Sequence, residues 1–318
     1  MRVLITGAAG FIGSHLTDRY LADGHNVLGV DNLLTGSKAN ISKAMTHERF
    51  QFIEADIVDR WDAVEKAVGD SLPELILHFA SPASPVDYGN HPFETLEVNA
   101  IGTKHCADAA LRWNAKIVYA STSESYGDPL EHPQRESYWG HVNPVGPRSC
   151  YDESKRFGEA YVSTSMRIRQ LRGTILRIFN TYGPRMRHDD GRVVPNFIMQ
   201  ALRGEPLTVY GNGKQTRSFC YVDDLIEGIV RTAVSNALQG TVVNLGNPEE
   251  RTIEEFAREV ARLANVAFNA VYRPMPPDDP GRRCPNIDRA RTVLGWEPKV
   301  KLEEGLRRTI EAFRATNL

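Results

Sequence analysis

The chain has 318 residues, 41% of them apolar and 25% charged, with a formal net charge of -2. This is the balance of an ordinary soluble globular protein, long enough for one large domain or two that share an interface. Without a basic excess it argues against nucleic acid or a membrane as partner, and favours small soluble ligands. No apolar run approaches the ~18–20 residues of a membrane span, and the first residues, MRVLITGAAG, lack the pattern of a signal peptide. Cys106, Cys150, Cys220 and Cys284 are scattered without CxxC spacing. A cytoplasmic, reduced setting with neither a zinc site nor a disulfide framework is therefore expected.

The first half alternates short apolar runs with helical patterns. The predicted strands are RVLIT (2–6), NVLGVD (26–31), FQFIEAD (50–56), LILHFAS (75–81), KIVYAS (116–121) and GTILRIFN (173–180). Runs that are apolar throughout suit strands covered on both faces, and the helices between them suit right-handed crossovers. This predicts an α/β fold, a doubly wound parallel sheet of the Rossmann type occupying residues 1–180. Beyond 180 the chain becomes rich in Gly, Pro and Arg, as in YRPMPPDDPGRRCPN, and residues 181–318 are expected to form mainly a smaller substrate-binding lobe. Residues 215–245 return to the large domain in this reading, YVDDLIEGIVRTA (221–233) as one of its helices, whereas TIEEFAREVARLA (252–264), with a Thr cap and an acidic first turn, belongs to the lobe.

TGAAGFIGSHL places Gly7, Gly10 and Gly13 in the turn from the first strand into the first helix. Glycine there permits the tight turn, lets the backbone approach a pyrophosphate and seats the helix on the strand, while the helix N-terminus offers N–H groups to the phosphates. Asp31 ends the second strand, ~20 residues on, where a carboxylate accepts from both ribose hydroxyls of NAD and repels the 2′-phosphate of NADP. Asp56 and Ile57 follow the third strand, where Asp56 is either an acceptor for the adenine amine or a simple helix cap.

The fifth strand runs into STSESYGDP (121–129), with Thr122, Ser123 and Glu124 side by side at its end. Further on, Tyr151 and Lys155 form YxxxK. Four residues apart on a helix they share a face. Tyrosine ionises near pH ~10, and a neighbouring ammonium together with a positive nicotinamide ring is expected to lower that value, making Tyr151 a general base. HDDGRVV offers His188, Asp189 and Asp190, but consecutive loop residues rarely converge on one ion, and no metal is expected.

With these motifs in place the chain resembles the extended short-chain dehydrogenase/reductases that act on nucleotide sugars. HFASPAS (78–84), RIFNTYGPR (177–185), GEPLTVYGNGKQTRSFCYVDD (204–224), VNLGNPEE (243–250) and LGWEP (294–298) carry the resemblance along nearly the whole chain. HPQRESYWGHVNPVGPRSCYDESKR (132–156) and MRHDDGRVVPNFIMQAL (186–202) resemble specifically the UDP-glucuronate decarboxylases. One departure is His91 in YGNHP (88–92), where the family usually has Asn in a loop near the sugar.

The resemblance implies NAD as cofactor, with Phe11, Ile12, Asn32, Ala80 and Asn99 joining the glycine turn, Asp31, Asp56, Ile57, Tyr151 and Lys155 around it. It implies a UDP-sugar substrate held by Ser81, Pro82, Tyr88 and Asn180, with Arg185 and Arg217 as candidates for the pyrophosphate. Arg192, Val194 and Tyr210 complete that set, and Arg283 aligns with an arginine near the reacting sugar. The reaction implied is oxidation at C4 with Tyr151 as base, loss of carbon dioxide from the resulting β-keto acid, support of the enolate by Thr122 and Tyr151, and reduction to UDP-xylose. Glu124 is expected beside the sugar carboxylate, either orienting a water for reprotonation at C5 or repelling the carboxylate by charge.

Related 4,6-dehydratases carry Asp where this chain has Ser123, 4-epimerases usually a small residue in place of Glu124, and UDP-apiose/xylose synthases Cys in place of Ser123. These relatives, a decarboxylase that releases the keto pentose, and a non-catalytic NAD or nucleotide-sugar sensor remain the alternatives. Relatives also pair as dimers through the YxxxK helix and a helix expected over 93–113, so a homodimer is expected.

Overall fold

The computed structural model describes residues 1–275 and 281–316; residues 276–280, in the Pro-rich run noted above, and 317–318 lie outside it. All six predicted strands form: β1 (Arg2–Thr6), β2 (Asn26–Asp31), β3 (Phe50–Glu54), β4 (Leu75–His78), β5 (Lys116–Thr122) and β6 (Gly173–Ile178). A seventh, Val242–Leu245, joins the edge to give the order Val242–Leu245, β6, β5, β4, β1, β2, β3, with every neighbour parallel. β3, β4 and β6 end two or three residues earlier than predicted, because the chain leaves the ladder there to line a cleft.

The uniform apolarity of the strands has a direct cause, since each face carries its own helices. Val3 and Ile5 pack with Leu16, Leu225 and Ile229 on one side, while Leu4 packs with Val64, Cys106 and Val162 on the other. On the first face the Phe11–Ala22 and Val222–Val234 helices are tied by Arg19 Nη1 to Glu227 Oε2 at 2.8 Å. The chain crosses from β3 to β4 beside β1, and this reversal opens a crevice beyond the carboxyl ends of the strands.

The residues expected to form one helix over 93–113 instead form two, Pro92–Glu97 and Thr103–Arg112, joined by a π-helical turn at Val98–Gly102. The smaller lobe contains the parallel pair Leu207–Tyr210 with Ala270–Arg273 and a three-stranded sheet ordered Glu250–Thr252, Thr216–Ser218, Arg282–Arg283. Its Ile253–Ala264 helix has the predicted cap: Thr252 Oγ1 accepts from Glu255 N at 3.1 Å and Glu255 Oε2 from Thr252 N at 2.9 Å. Phe197, Phe219 and Phe256 stack in the lobe and continue without a break into the core of the sheet. LGWEP is structural: Trp296 Nε1 donates to Asp224 O at 2.8 Å, and Asp224 Oδ2 accepts from Lys299 N and Val300 N. Among the described residues no helix is long and apolar enough to cross a membrane.

Close approach of the YxxxK helix (Ser149–Arg169) to β5 depends on Gly158. A Cβ there would lie 2.1 Å from Tyr119 Oη, a buried group that itself donates to Lys155 O at 3.3 Å. Gly158→Ala should therefore push the helix off the sheet, costing about 1–3 kcal/mol as overpacking does, and lower the thermal midpoint. An unchanged midpoint would contradict this seating.

Candidate functional site

The crevice is a cavity of about 770 Å³ lined from both lobes. Its walls begin at the glycine turn. Gly7 has φ of 73° and a Cβ on it would meet the Phe79 backbone at 2.8 Å, while a Cβ on Gly13 would stand 1.9 Å from Gly7 O. Only hydrogen fits at either position, which leaves the turn open to a phosphate and aims the Phe11–Ala22 N-terminus at it.

Asp31 closes the same end, with Oδ2 accepting from Ala9 N at 2.9 Å and Oδ1 from Leu33 N at 2.8 Å. Burial raises its pKa against the opposing pull of these N–H groups. Asp56 is not the cap of the Trp61–Val68 helix, which starts from Arg60; its Oδ1 accepts from Val58 N at 2.8 Å in the turn after β3, while Oδ2 receives Asn32 Nδ2 at 2.7 Å and the residue lines the cleft. The cradle, the acid at the end of β2 and the Asn32–Asp56 pair fit the phosphates, ribose and adenine of a dinucleotide in that order along the wall.

At the other end β5 delivers Thr122, whose Oγ1 accepts from Glu124 N at 3.2 Å and so turns the chain into a short 3-10 helix, Ser123–Tyr126. Tyr151 stands opposite, near enough for the Thr122 hydroxyl to favour its ionised form, its ring stacked on that of Tyr88 with centroids 5.1 Å apart. Lys155 Nζ donates to Ala120 O at 2.9 Å. The expected lowering of the Tyr151 pKa is not produced by these side chains. Burial pushes the phenol up to about 12, the Thr122 hydroxyl only partly opposing it, and the same burial brings Lys155 down to about 7 although Glu159 holds it up. Both ionised forms are short of solvation in the pocket, so stabilising the phenolate is left to the positive charge of a nicotinamide ring.

Glu124 is clamped. Arg283 grips it with both terminal nitrogens, Nη2 to Oε2 at 2.7 Å, and Arg148 Nη2 reaches Oε2 at 2.7 Å. Burial alone would raise the carboxyl pKa, but the charges of Arg283 and Arg148 and the Arg283 hydrogen bond overcome it and hold Glu124 below its ordinary value. This corrects one role expected for Glu124, because a carboxylate matched by two guanidiniums has little net charge with which to repel a sugar carboxylate. Arg148 was not singled out from the sequence; its place immediately before SCYDESK was the available signal.

Gly7, Gly10, Phe11, Ile12, Gly13, Asp31, Asn32, Asp56, Ile57 and Ala80 line one half of the cavity, and Ser81, Pro82, Tyr88, Thr122, Ser123, Glu124, Tyr151, Lys155, Asn180, Arg185, Arg192, Val194, Tyr210, Arg217 and Arg283 the other. Asn99 is the exception and a correction: the π-helical turn carries it behind the wall, where Nδ2 donates to Ser154 Oγ at 3.0 Å and braces the YxxxK helix. His91 likewise lies off the cavity, at the start of the Pro92–Glu97 helix with Nδ1 3.8 Å from Glu94.

Several lining arginines are already engaged. Arg192 forks onto Asp190 at 2.6 and 2.7 Å, Arg185 reaches Asp18 at 2.5 Å, and Arg187, also unforeseen, binds Asp87 at 2.9 Å. The HDDGRVV residues diverge: His188 bonds Thr316, Asp189 pairs with Arg187 and Asp190 with Arg192.

The model of the NAD dependent epimerase/dehydratase family matches residues 3–246. UDP-glucuronic acid decarboxylase 1 of Xenopus tropicalis is 50% identical over 98% of this chain and 72% of its own length, and UDP-glucuronic acid decarboxylase 3 of Arabidopsis thaliana 50% identical over 99% and 89%. Among solved structures, UDP-glucuronic acid 4-epimerase from Bacillus cereus, in complex with UDP-glucuronic acid and NAD, superposes with a TM-score of 0.89 at 29% identity, covering 99% of this chain and 100% of that one.

Proposed function

The chain belongs to the NAD dependent epimerase/dehydratase family and, within it, to the UDP-glucuronic acid decarboxylases, and we propose that it converts UDP-glucuronate and a proton to UDP-xylose and carbon dioxide in a redox-neutral cycle. The observation that carries this reading is the Ser123-Glu124 turn, with Glu124 held by Arg283 and Arg148 in the same cavity as Thr122, Tyr151 and Lys155.

The glycine turn, Asp31, Asn32 and Asp56 would hold NAD, which would supply a reversible hydride acceptor for C4. Tyr151 takes the C4 hydroxyl proton, giving a 4-keto sugar whose carboxylate stands β to the ketone. When the bond to the carboxylate breaks, its electron pair delocalises onto the C4 oxygen, where the hydroxyls of Thr122 and Tyr151 donate. A proton must then reach C5. Glu124 is held ionised, so it serves this step by accepting from a water or fixing the two guanidiniums, not by giving up a proton of its own. Arg217 and Arg185 line the same cavity and are the guanidinium candidates for the pyrophosphate.

Ser123 argues against dehydration, because a hydroxyl there cannot supply the acid that a departing C6 hydroxyl needs. The 4-epimerase reading retains support from the Bacillus cereus neighbour, which was solved with the same sugar nucleotide. Products separate the two. With UDP-glucuronate we expect one carbon dioxide per sugar, UDP-xylose and no net NADH; a C4 epimer with its carboxylate intact would overturn the decarboxylase, and stoichiometric NADH with a keto pentose would overturn the closed cycle. Tyr151→Phe should lower turnover by about 10²-fold or more while NAD still binds.

We infer also that the chain pairs with a second copy through Phe157 and Ile168 of the YxxxK helix and Phe93 and Ile101 before the Thr103–Arg112 helix, large apolar side chains that are all exposed in the single chain. Sedimentation should give twice the 35.6 kDa chain mass, reduced to the single mass by Phe157→Asp; a wild type that sediments as a monomer would contradict it.

A further inference from the structure

Beside the three-stranded sheet, His132, Glu250 and Cys284 bring an imidazole nitrogen, a carboxylate oxygen and a sulfur within 4.8 Å of one another. The three come from segments whose spacing is set by backbone bonds. Gln134 N donates to Cys284 O at 2.9 Å, Asn286 N donates to Gln134 O at 2.9 Å, and Gln134 Oε1 accepts from Cys284 N at 2.8 Å, stitching the His132 loop to the strand that ends at Arg283. Glu250 opens the neighbouring strand, which pairs with Thr216–Ser218, and that strand in turn pairs with Arg282–Arg283. No one of these bonds uses an imidazole, carboxylate or thiol of the triad, so the donors are placed before anything binds them.

We propose that His132, Glu250 and Cys284 form a binding site for a divalent cation of the zinc class, with water in the fourth position. The mixed nitrogen, oxygen and sulfur set prefers such a borderline cation to magnesium or calcium, which favour oxygen alone. Donors around a cation at ~2.0–2.3 Å stand roughly 3.3–3.8 Å apart in a tetrahedron. His132 Nε2 and Glu250 Oε2, now 2.8 Å apart, therefore open slightly and the wider pairs close by no more than about an ångström. Thr216 Oγ1 donates to Glu250 Oε1 at 2.5 Å, the second-layer contact that fixes a ligating carboxylate. His132 and Glu250 are partly exposed and form the entrance, while Cys284 is buried behind them. Cys284 Sγ points to Pro248 O at 3.4 Å, and on ligating a cation the thiol gives up its proton to solvent.

The residue before Cys284 is Arg283, and the central strand of the same sheet carries Arg217. A cation that draws Cys284 toward Glu250 shifts the strand from which Arg283 grips Glu124. Occupancy should therefore slow the reaction proposed above, although binding itself does not depend on that reaction.

The test titrates Co2+ into the full chain after chelation. A near-ultraviolet thiolate-to-cobalt absorption that saturates at one equivalent and is displaced by Zn2+ is expected. Cys284→Ser should abolish the band, and His132→Gln should keep the thiolate signature while weakening binding at least tenfold. No band in the wild type, or an undiminished band in Cys284→Ser, would overturn the site. In the second arm Zn2+ lowers UDP-glucuronate turnover of the wild type severalfold and leaves Cys284→Ser unaffected; equal sensitivity would overturn the link to Arg283.

Discussion

The site is organised around one partly buried carboxylate. Glu124 sits where a strand ends, largely shielded from water on the cavity wall, and would be costly there as a lone ion. Arg283 and Arg148 stabilise it, and each comes from a different part of the chain: Arg148 from the approach to the YxxxK helix and Arg283 from a strand of the smaller lobe. One charge thus joins the catalytic helix, the end of the central sheet and the substrate lobe. Removing either guanidinium leaves a buried charge partly unmatched, which ordinarily costs far more than the pair contributes when whole. The clamp is a device for position, and what it positions is a set of cations on the cavity wall.

The rest of the fold serves this meeting point. The sheet reverses direction beside β1, so a crevice opens where the glycine turn and β5 both end. Gly158 allows the YxxxK helix to lie on Tyr119, and this brings Lys155 Nζ to Ala120 O and Tyr151 to Thr122. Asn99 braces the same helix from behind through Ser154. Farther along the helix Glu159 receives Arg177 of β6 at 2.7 and 2.9 Å and Ser121 Oγ at 2.5 Å, a second buried pair that fixes helix and sheet against each other. The reacting groups are held by two such ion pairs and one missing side chain.

Much of this was legible in the sequence, for local reasons. Strand apolarity, the three glycines and the capping Thr252 are properties of neighbouring residues, and β1 to β6 form where they were expected. Thr122, Tyr151 and Lys155 were legible because a strand end and a helix repeat place them without reference to the rest of the chain. The clamp was not, since Glu124 and Arg283 lie 159 residues apart and nothing in their surroundings announces the pairing. Asn99 failed for a related reason: the pattern over 93–113 reads as one helix, and a single wider turn redirects that amide from the cofactor to Ser154. For Tyr151, spacing reports a nearby ammonium but not the burial that outweighs it, which leaves the lowering to the nicotinamide ring. His132, Glu250 and Cys284 are likewise invisible to any search for closely spaced ligands.

The central claim is that Glu124 and Arg283 act as one unit in the chemistry, and a double-mutant cycle on carbon dioxide release from UDP-glucuronate tests it most directly. Glu124→Gln and Arg283→Gln should each slow release strongly, and the double variant should be little slower than the worse single, a coupling within the roughly 0.5–3 kcal/mol seen for paired groups. Losses that simply multiply in the double variant would show two residues working independently and would contradict the account.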